Sequence, residues 1–277
     1  MDKSKIYVIA EIGNNHQGDV KHALKLMKEA KNAGADAVKT QKRDNKTLYT
    51  KTFFNQVYDN PNSFGLSYGE HREKLELKKS DYQELIDYSK EIDIDFFATP
   101  FDLSSLDFLE QFDLKSYKIA SADITNTILQ TEISKTGKEI FLSTGGGSLE
   151  DVKRAKENIF QHNKNLSILQ CTASYPARLE DMNLRVITTY AKTFPGLRLG
   201  LSDHENGIDA GPVAYMLGAR VFEKHFTLNR ANKGTDNAFS LEPAGLSKFV
   251  RNLKRIELML GSDEKKQLNT ETKPLIK

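Results

Sequence analysis

The stretch 197–225, LRLGLSDHENGIDAGPVAYMLGARVFEKH, holds two short apolar runs with a longer segment between them. Leu197–Ser202 and Arg220–His225 read as buried strands, and Ile208–Leu217 reads as the helix that joins them. Strand, helix and strand in that order make a parallel pair with a right-handed crossover. Each strand runs into polar residues at its C-terminal end: Ser202, Asp203 and His204 in the first case, Glu223 and His225 in the second. Parallel pairing puts both ends on one side, so this unit alone predicts a mouth lined by polar side chains.

The same unit recurs upstream. Strand-like runs are Ile6–Ala10, Asp36–Gln41, Asp95–Thr99, Ser116–Ala120, Glu139–Ser143 and Leu166–Gln170. Helix-like segments are Val20–Ala33, Ser80–Ile92, Leu103–Gln111, Thr127–Lys135, Leu149–Phe160, Leu184–Lys192 and, at the end, Gly245–Leu260. Gly34 suits a helix C-terminus, and Ser80 and Ser148 suit N-caps. Eight strands alternating with eight helices predict an α/β fold closed as a (β/α)8 TIM barrel. No G-x-G-x-x-G follows the first strand, which argues against a doubly wound dinucleotide-binding sheet. Residues 1–262 are read as one catalytic barrel domain and 263–277 as a polar tail or linker. The connection Lys42–Lys79 is too long for a plain βα turn. Its aromatic residues (Phe53, Phe54, Tyr58, Phe64, Tyr68) predict an ordered loop near the mouth.

The bulk properties agree with a globular enzyme. Of 277 residues, 38% are hydrophobic and 28% charged, and a net charge of +2 gives no whole-molecule pull toward nucleic acid or a membrane surface. The N-terminal apolar stretch meets Glu11 too early for a signal peptide. No run approaches the ~20 apolar residues of a membrane span. The single cysteine, Cys171, cannot form an intrachain disulfide, and a cytoplasmic location is the expectation.

In such a barrel the chemistry gathers at the strand C-termini. Glu11 with Asn14, Asn15 and His16, then Lys39 and Gln41, Thr99, Lys118 with Ser121 and Asp123, Ser143 with Thr144, Tyr175, and the two segments above all fall there. Lysines on strands need an anionic partner, because a buried ammonium is costly alone. Lys39 and Lys118 are therefore candidates to face an anionic substrate. Gly145, Gly146 and Gly147 let the backbone approach a ligand, ahead of a helix whose N-terminus suits a phosphate or carboxylate. His204 and His225, on neighbouring strands, can share one divalent ion, and ligand type alone leaves Mn, Fe, Co, Ni and Zn open. Glu223 shares the His225 side of its strand, and Asp236 follows in a turn. His22 and His162 read as solvent-exposed on helix faces. Cys171 reads as a small buried residue with no partner base.

AEIGNNHQGD, AVKTQ, ATPFD, YKIASAD, LSTGGG, CTASYPA, GLSDH and FEKHFT followed by KGTD resemble, in order, the N-acetylneuraminate (sialic acid) synthase family. That family includes legionaminic and pseudaminic acid synthases and spore-coat polysaccharide synthases, and the resemblance covers about residues 5–260. It implies condensation of phosphoenolpyruvate with an N-acetylated hexosamine aldehyde, N-acetylmannosamine or a related deoxy or diacetamido sugar. The product is a nine-carbon 2-keto acid, with release of phosphate. It implies a divalent metal, manganese first and magnesium or cobalt as alternatives, held by His204 and His225. Lys118, Ser121, Ser143 and Ser202 match positions that hold phosphoenolpyruvate. Lys39 and Gln41 match positions near phosphate and sugar, and Tyr175 and Asp236 match sugar contacts, with Thr99 a further substrate contact. Glu11, Lys118, Asp123 and Glu223 are the candidate catalytic residues. The family's KIxSGE is KIASAD here, so Asp123 stands for a glutamate, and Ala173 stands where an asparagine is common. The family's C-terminal antifreeze-like domain, which lends an arginine across a homodimer, would begin where this chain stops. Two other readings compete: a Schiff-base aldolase using Lys118 or Lys39, and a non-catalytic sugar-binding relative.

Overall fold

The computed structural model describes residues 4–272. The eight strands are β1 (Tyr7–Glu11), β2 (Ala37–Lys42), β3 (Asp95–Pro100), β4 (Ser116–Ile119), β5 (Glu139–Ser143), β6 (Leu166–Cys171), β7 (Arg198–Asp203) and β8 (Val221–His225). All neighbours pair in parallel, and β8 pairs back onto β1, so the sheet closes. The helices in chain order are α1 (Val20–Asn32), α2 (Asn45–Leu48), α3 (Lys51–Phe54), α4 (Tyr68–Lys74), α5 (Lys79–Glu91), α6 (Leu103–Leu109), α7 (Thr127–Lys135), α8 (Leu149–Phe160), α9 (Val186–Thr193), α10 (Ala210–Met216) and α11 (Pro243–Leu260). Every expected strand and helix forms, and the (β/α)8 barrel is the fold. None of the helices is long and apolar enough to cross a membrane among the described residues.

Side chains alternate across the wall, as the strand period requires. Val8, Ala10, Val38, Ala98, Ile140, Ile168, Leu201 and Phe222 point outward and pack under the helices as the main core. Tyr7, Ile9, Ala37, Phe97, Phe141, Leu169 and Val221 point inward and form a second, smaller apolar cluster. Tyr7 and Phe97 both pack on Phe141, with ring centroids 5.9 and 5.3 Å away. Gly200 lets β6 and β8 come close: a Cβ there would lie 2.4 Å from Leu169 Cδ2 and from the Val221 carbonyl. This apolar plug is the floor on which the polar mouth stands.

Three details depart from the sequence reading. α5 starts one residue before Ser80, because the Asp81 carboxylate reaches back 2.9 Å to the Lys78 amide and ends the helix there instead. His22 is half-buried rather than exposed, since the first turn of α1 tucks toward the β1 loop. The 42–79 connection is ordered, as expected, but it folds into α2, α3 and α4. Tyr49, Phe53, Tyr58 and Tyr68 pack edge-on or tilted in one aromatic cluster, which also includes the buried His71. Residues 263–272 are exposed, and the rest of the expected tail, 273–277, lies outside the described residues.

Asp203 also turns away from the mouth. The period-two alternation sends it outward with Lys224, and the two make an ion pair of 2.8 Å with both side chains only 1% exposed. Lys224 also donates to the Glu205 carbonyl, and Asp203 accepts from the Glu205 amide at 2.9 Å, so the pair anchors the loop that follows β7. Breaking a buried pair leaves an uncompensated charge, whereas replacing both partners does not. Lys224→Met should therefore cost about 3–5 kcal/mol of unfolding free energy, and Asp203→Leu with Lys224→Met should recover most of it. Denaturant titration of the two variants checks this, and a loss no larger in the single than in the double variant would refute it.

Candidate active site

The C-terminal mouth of the barrel opens into a cavity of about 780 Å³. Glu11, Lys39, Gln41, Thr99, Lys118, Ser121, Ser143, Tyr175, Ser202, His204, Glu223, His225 and Asp236 all line it. Their gathering follows from register, since β1 pairs Glu11 with Lys39 on one side and with His225 on the other. Ser202 sits opposite both Cys171 and Glu223. One candidate falls outside the lining. Asp123 ends a 3-10 turn over Ser121–Asp123, and its carboxylate turns back to accept from the Asn126 side chain at 3.0 Å. Asn15 and His16 are likewise structural: Asn15 bonds the Phe226 carbonyl and Ser240, and His16 Nδ1 accepts from the Gly18 amide.

Four charges stand side by side on the floor, none more than 4% exposed: Glu11, Lys39, Lys118 and Glu223. Lys39 contacts Glu11 and donates to Thr99 Oγ1 at 2.8 Å. Lys118 lies 3.5 Å from Glu223, which accepts from Ser202 Oγ at 3.2 Å. The Glu11 carboxylate is held by the Gly13 amide at 2.6 Å, and a Cβ on residue 13 would sit 2.2 Å from that oxygen, so any side chain there would push the carboxylate aside. Burial would raise the Glu223 carboxyl, but Lys118, then Lys39 and the two imidazoles, outweigh it and pull it to about 2. Burial pushes the Lys39 ammonium down to about 7, with Lys118 and Arg43 adding to the push.

The histidines take different states. His204 Nδ1 lies 2.8 Å from the Thr172 carbonyl, which fixes that nitrogen as the donor and turns Nε2 to the cavity. Cys171 Sγ is 3.8 Å from the same ring, so the thiol has an imidazole neighbour that the sequence did not disclose. His225 is held neutral well below its ordinary range, by burial first and by the charge of His204 second. Its Nδ1 has no hydrogen-bond partner among the described residues, and Asp236 Oδ2 stands 3.7 Å from it. The two imidazole centroids are 5.3 Å apart. The Tyr175 ring covers them, 4.2 Å from His204. Among the described residues no three such side chains already converge as a ligand set, but a neutral imidazole with a free nitrogen, a second one oriented by a backbone carbonyl and the Asp236 carboxylate are donors whose chemistry suits a divalent cation.

Residues 26–265 match the NeuB family model. The chain belongs to the NeuB family. It is 38% identical to the N-acetylneuraminate-9-phosphate synthase of Mus musculus over 97% of this chain and 75% of that one. It is 36% identical to the N,N'-diacetyllegionaminic acid synthase of Campylobacter jejuni, over 97% and 81%. Among solved structures, the N-acetylneuraminic acid synthetase of Leptospira borgpetersenii superposes with a TM-score of 0.84 at 30% identity, covering 99% of this chain and 91% of that one. As a NeuB-family member the protein is an enzyme, and the fold it shares with these synthases is the barrel described above.

Two cations of the cavity, Arg43 and Arg72, were not named from the sequence. Arg43 follows β2, and its guanidinium lies 3.7 Å over the Phe101 ring. Arg72 comes from α4 and donates to Tyr68 Oη at 2.9 Å. The alternation along β2 (Lys39, Gln41, Arg43) was a signal for the first, while nothing local marks the second.

The depressed Lys39 ammonium makes anion binding proton-linked. At pH 8 the free protein carries Lys39 mostly neutral, and an anion beside it favours the charged form, so binding takes up a proton. Below pH 6 the amine is already charged and the uptake vanishes. Sulfate binding measured by calorimetry in buffers of different ionisation enthalpy should show this uptake at pH 8 and not at pH 5.5. Lys39→Arg, always charged, should abolish it at pH 8 as well.

Proposed function

We propose that this enzyme condenses phosphoenolpyruvate with the open-chain aldehyde of an N-acetylated hexosamine, releasing phosphate and forming a nine-carbon 2-keto acid. The observation that carries the reading is the pairing of two buried lysines with two carboxylates beside a histidine pair in one cavity. Lys118 and Lys39, with the Ser121, Ser143 and Ser202 hydroxyls, hold the carboxylate and phosphate. The Gly145 amide, tied to Ser121 Oγ at 2.9 Å, keeps that wall in place. His204 and His225, joined by Asp236, would hold a divalent metal, with manganese the first choice. When bound, it supplies Lewis acidity at the aldehyde oxygen. Carbon 3 of phosphoenolpyruvate then adds to the aldehyde carbon, and water adds at carbon 2 before phosphate leaves.

Glu223 stays ionised beneath this centre and stabilises positive charge developing at carbon 2. Its Oε2 is buried with no hydrogen-bond partner among the described residues, which leaves it free to orient the attacking water. Asp123, with one oxygen on Asn126 and the other buried without a partner among the described residues, lies outside the cavity lining and holds the turn that presents Ser121. Glu11, Gln41, Tyr175 and Asp236 face the sugar. The Schiff-base alternative has one observation in its favour, the depressed Lys39 amine, but the contact of that amine with Glu11 favours an ammonium.

Phosphate release from phosphoenolpyruvate should require both an N-acetylmannosamine-type sugar and a divalent cation, and a chelator should stop it. His204→Ala or His225→Ala should lower kcat/KM about 10³-fold, equivalent to several kcal/mol of Lewis-acid stabilisation. Chelator-resistant turnover together with borohydride trapping of a lysine adduct would instead establish the aldolase. Sugar binding without any phosphate release would establish a non-catalytic binder.

A further inference from the structure

The loop after β1 reaches across to the loop after β8 and ties it down with three side chains. Asn15 donates to the Phe226 carbonyl at 2.9 Å and to Ser240 Oγ at 2.8 Å, and Ser240 Oγ donates in turn to the Asp236 carbonyl at 2.6 Å. Gln17 donates to the Lys233 carbonyl at 3.0 Å. These two hold the main chain of the loop. Asn14 instead holds a side chain: its Nδ2 donates to Asp236 Oδ2 at 3.0 Å. That same oxygen stands 3.7 Å from His225 Nδ1, while Thr235 Oγ1 donates to the other carboxylate oxygen at 2.7 Å. The far end of the Asn14 amide, Oδ1, accepts from the Arg72 guanidinium at 3.5 Å. A carboxylate only accepts and a guanidinium only donates, so the amide fits between them this way round alone.

Asn14 therefore stands between a cation and an anion that attract each other. Burial would lower the Arg72 guanidinium, but Tyr68, Tyr49 and then Asp236 hold it above its ordinary range. Arg72 and Asp236 nevertheless make no ion pair among the described residues, and the basic group beside Asp236 is the His225 ring. A guanidinium and a carboxylate that are free to meet form a two-pronged pair, which would turn Asp236 away from the imidazoles. We infer that Asn14 is a positioning residue for the metal site: it aims the Asp236 carboxylate at His225 and keeps Arg72 from capturing it. The inference rests on the proposal that a divalent metal sits at His204, His225 and Asp236. The backbone at this position fits the role. Asn14 has a φ of 70°, in the left-handed region that glycine and asparagine enter most readily. Glycine here would supply the turn alone, whereas asparagine supplies both the turn and the partner of the carboxylate.

Asn14→Gly keeps the left-handed turn and removes only the amide. Calorimetric titration of the metal-free protein with Mn2+ should show binding about 10–100-fold weaker in this variant than in the unmodified enzyme, the size of effect expected when a side chain that orients a ligand is lost. Gln17→Gly is the control. Gln17 also has a positive φ, of 57°, and bonds the same loop without touching Asp236, so its loss should leave Mn2+ affinity within about 3-fold. Arg72→Met added to Asn14→Gly should restore affinity about 10-fold, because nothing then competes for Asp236, whereas Arg72→Met alone should change it by less than about 3-fold. An equal loss in Gln17→Gly, or no recovery in the double variant, would overturn the inference. Unchanged Mn2+ affinity in Asn14→Gly with a raised KM for the sugar would also overturn it and make Asn14 a sugar contact. An unmodified enzyme that takes up no Mn2+ overturns the metal reading itself, an outcome distinct from normal uptake that Asn14→Gly leaves untouched.

Discussion

The mouth of this barrel depends on the mutual neutralisation of four buried charges. Glu11, Lys39, Lys118 and Glu223 stand on an apolar floor where a lone ion would cost several kcal/mol. Each lysine meets a carboxylate from a different strand, so the pairs exist only when the barrel closes in the observed register. The tuning of the site follows from this. Glu223 stays ionised because two lysines face it, and the Lys39 ammonium is pushed down because burial outweighs the attraction of Glu223. A site that holds its own charges in this way has its polar groups placed before any ligand arrives.

Around this centre the barrel divides its labour by sector. The β4, β5 and β7 side offers hydroxyls and glycine amides, the β7 and β8 side offers imidazoles, and the β1 to β3 side offers guanidiniums. The division is possible because each strand contributes one or two inward residues at its end and the following loop contributes the rest. The 42–79 insertion extends the third sector. Its aromatic cluster packs well enough to place Arg72 over the mouth, which an unstructured loop of that length could not do.

The strand-and-helix order, the barrel and the gathering of strand-end polar residues at one mouth were legible in the sequence, because they rest on local periodicity and on the direction of parallel strands, while the choice of the fourteen candidate site residues, thirteen of which line one cavity, came from the family resemblance. Side-chain period two fixes which residues share a face, and parallel pairing fixes which end they share. Even Lys39, Gln41 and Arg43 follow that rule along one strand. What the sequence could not supply was direction in the loops and partnership across strands. Asp123 turns away because a 3-10 turn and Asn126 capture it, Asp203 is drawn outward to Lys224, and Cys171 gains an imidazole 33 residues later in the chain. Arg72 reaches the cavity only through the packing of an insertion whose contacts are non-local. Periodicity is a property of neighbouring residues and survives in the sequence, whereas the pairing of charges and the aim of a loop are decided by atoms that folding alone brings together.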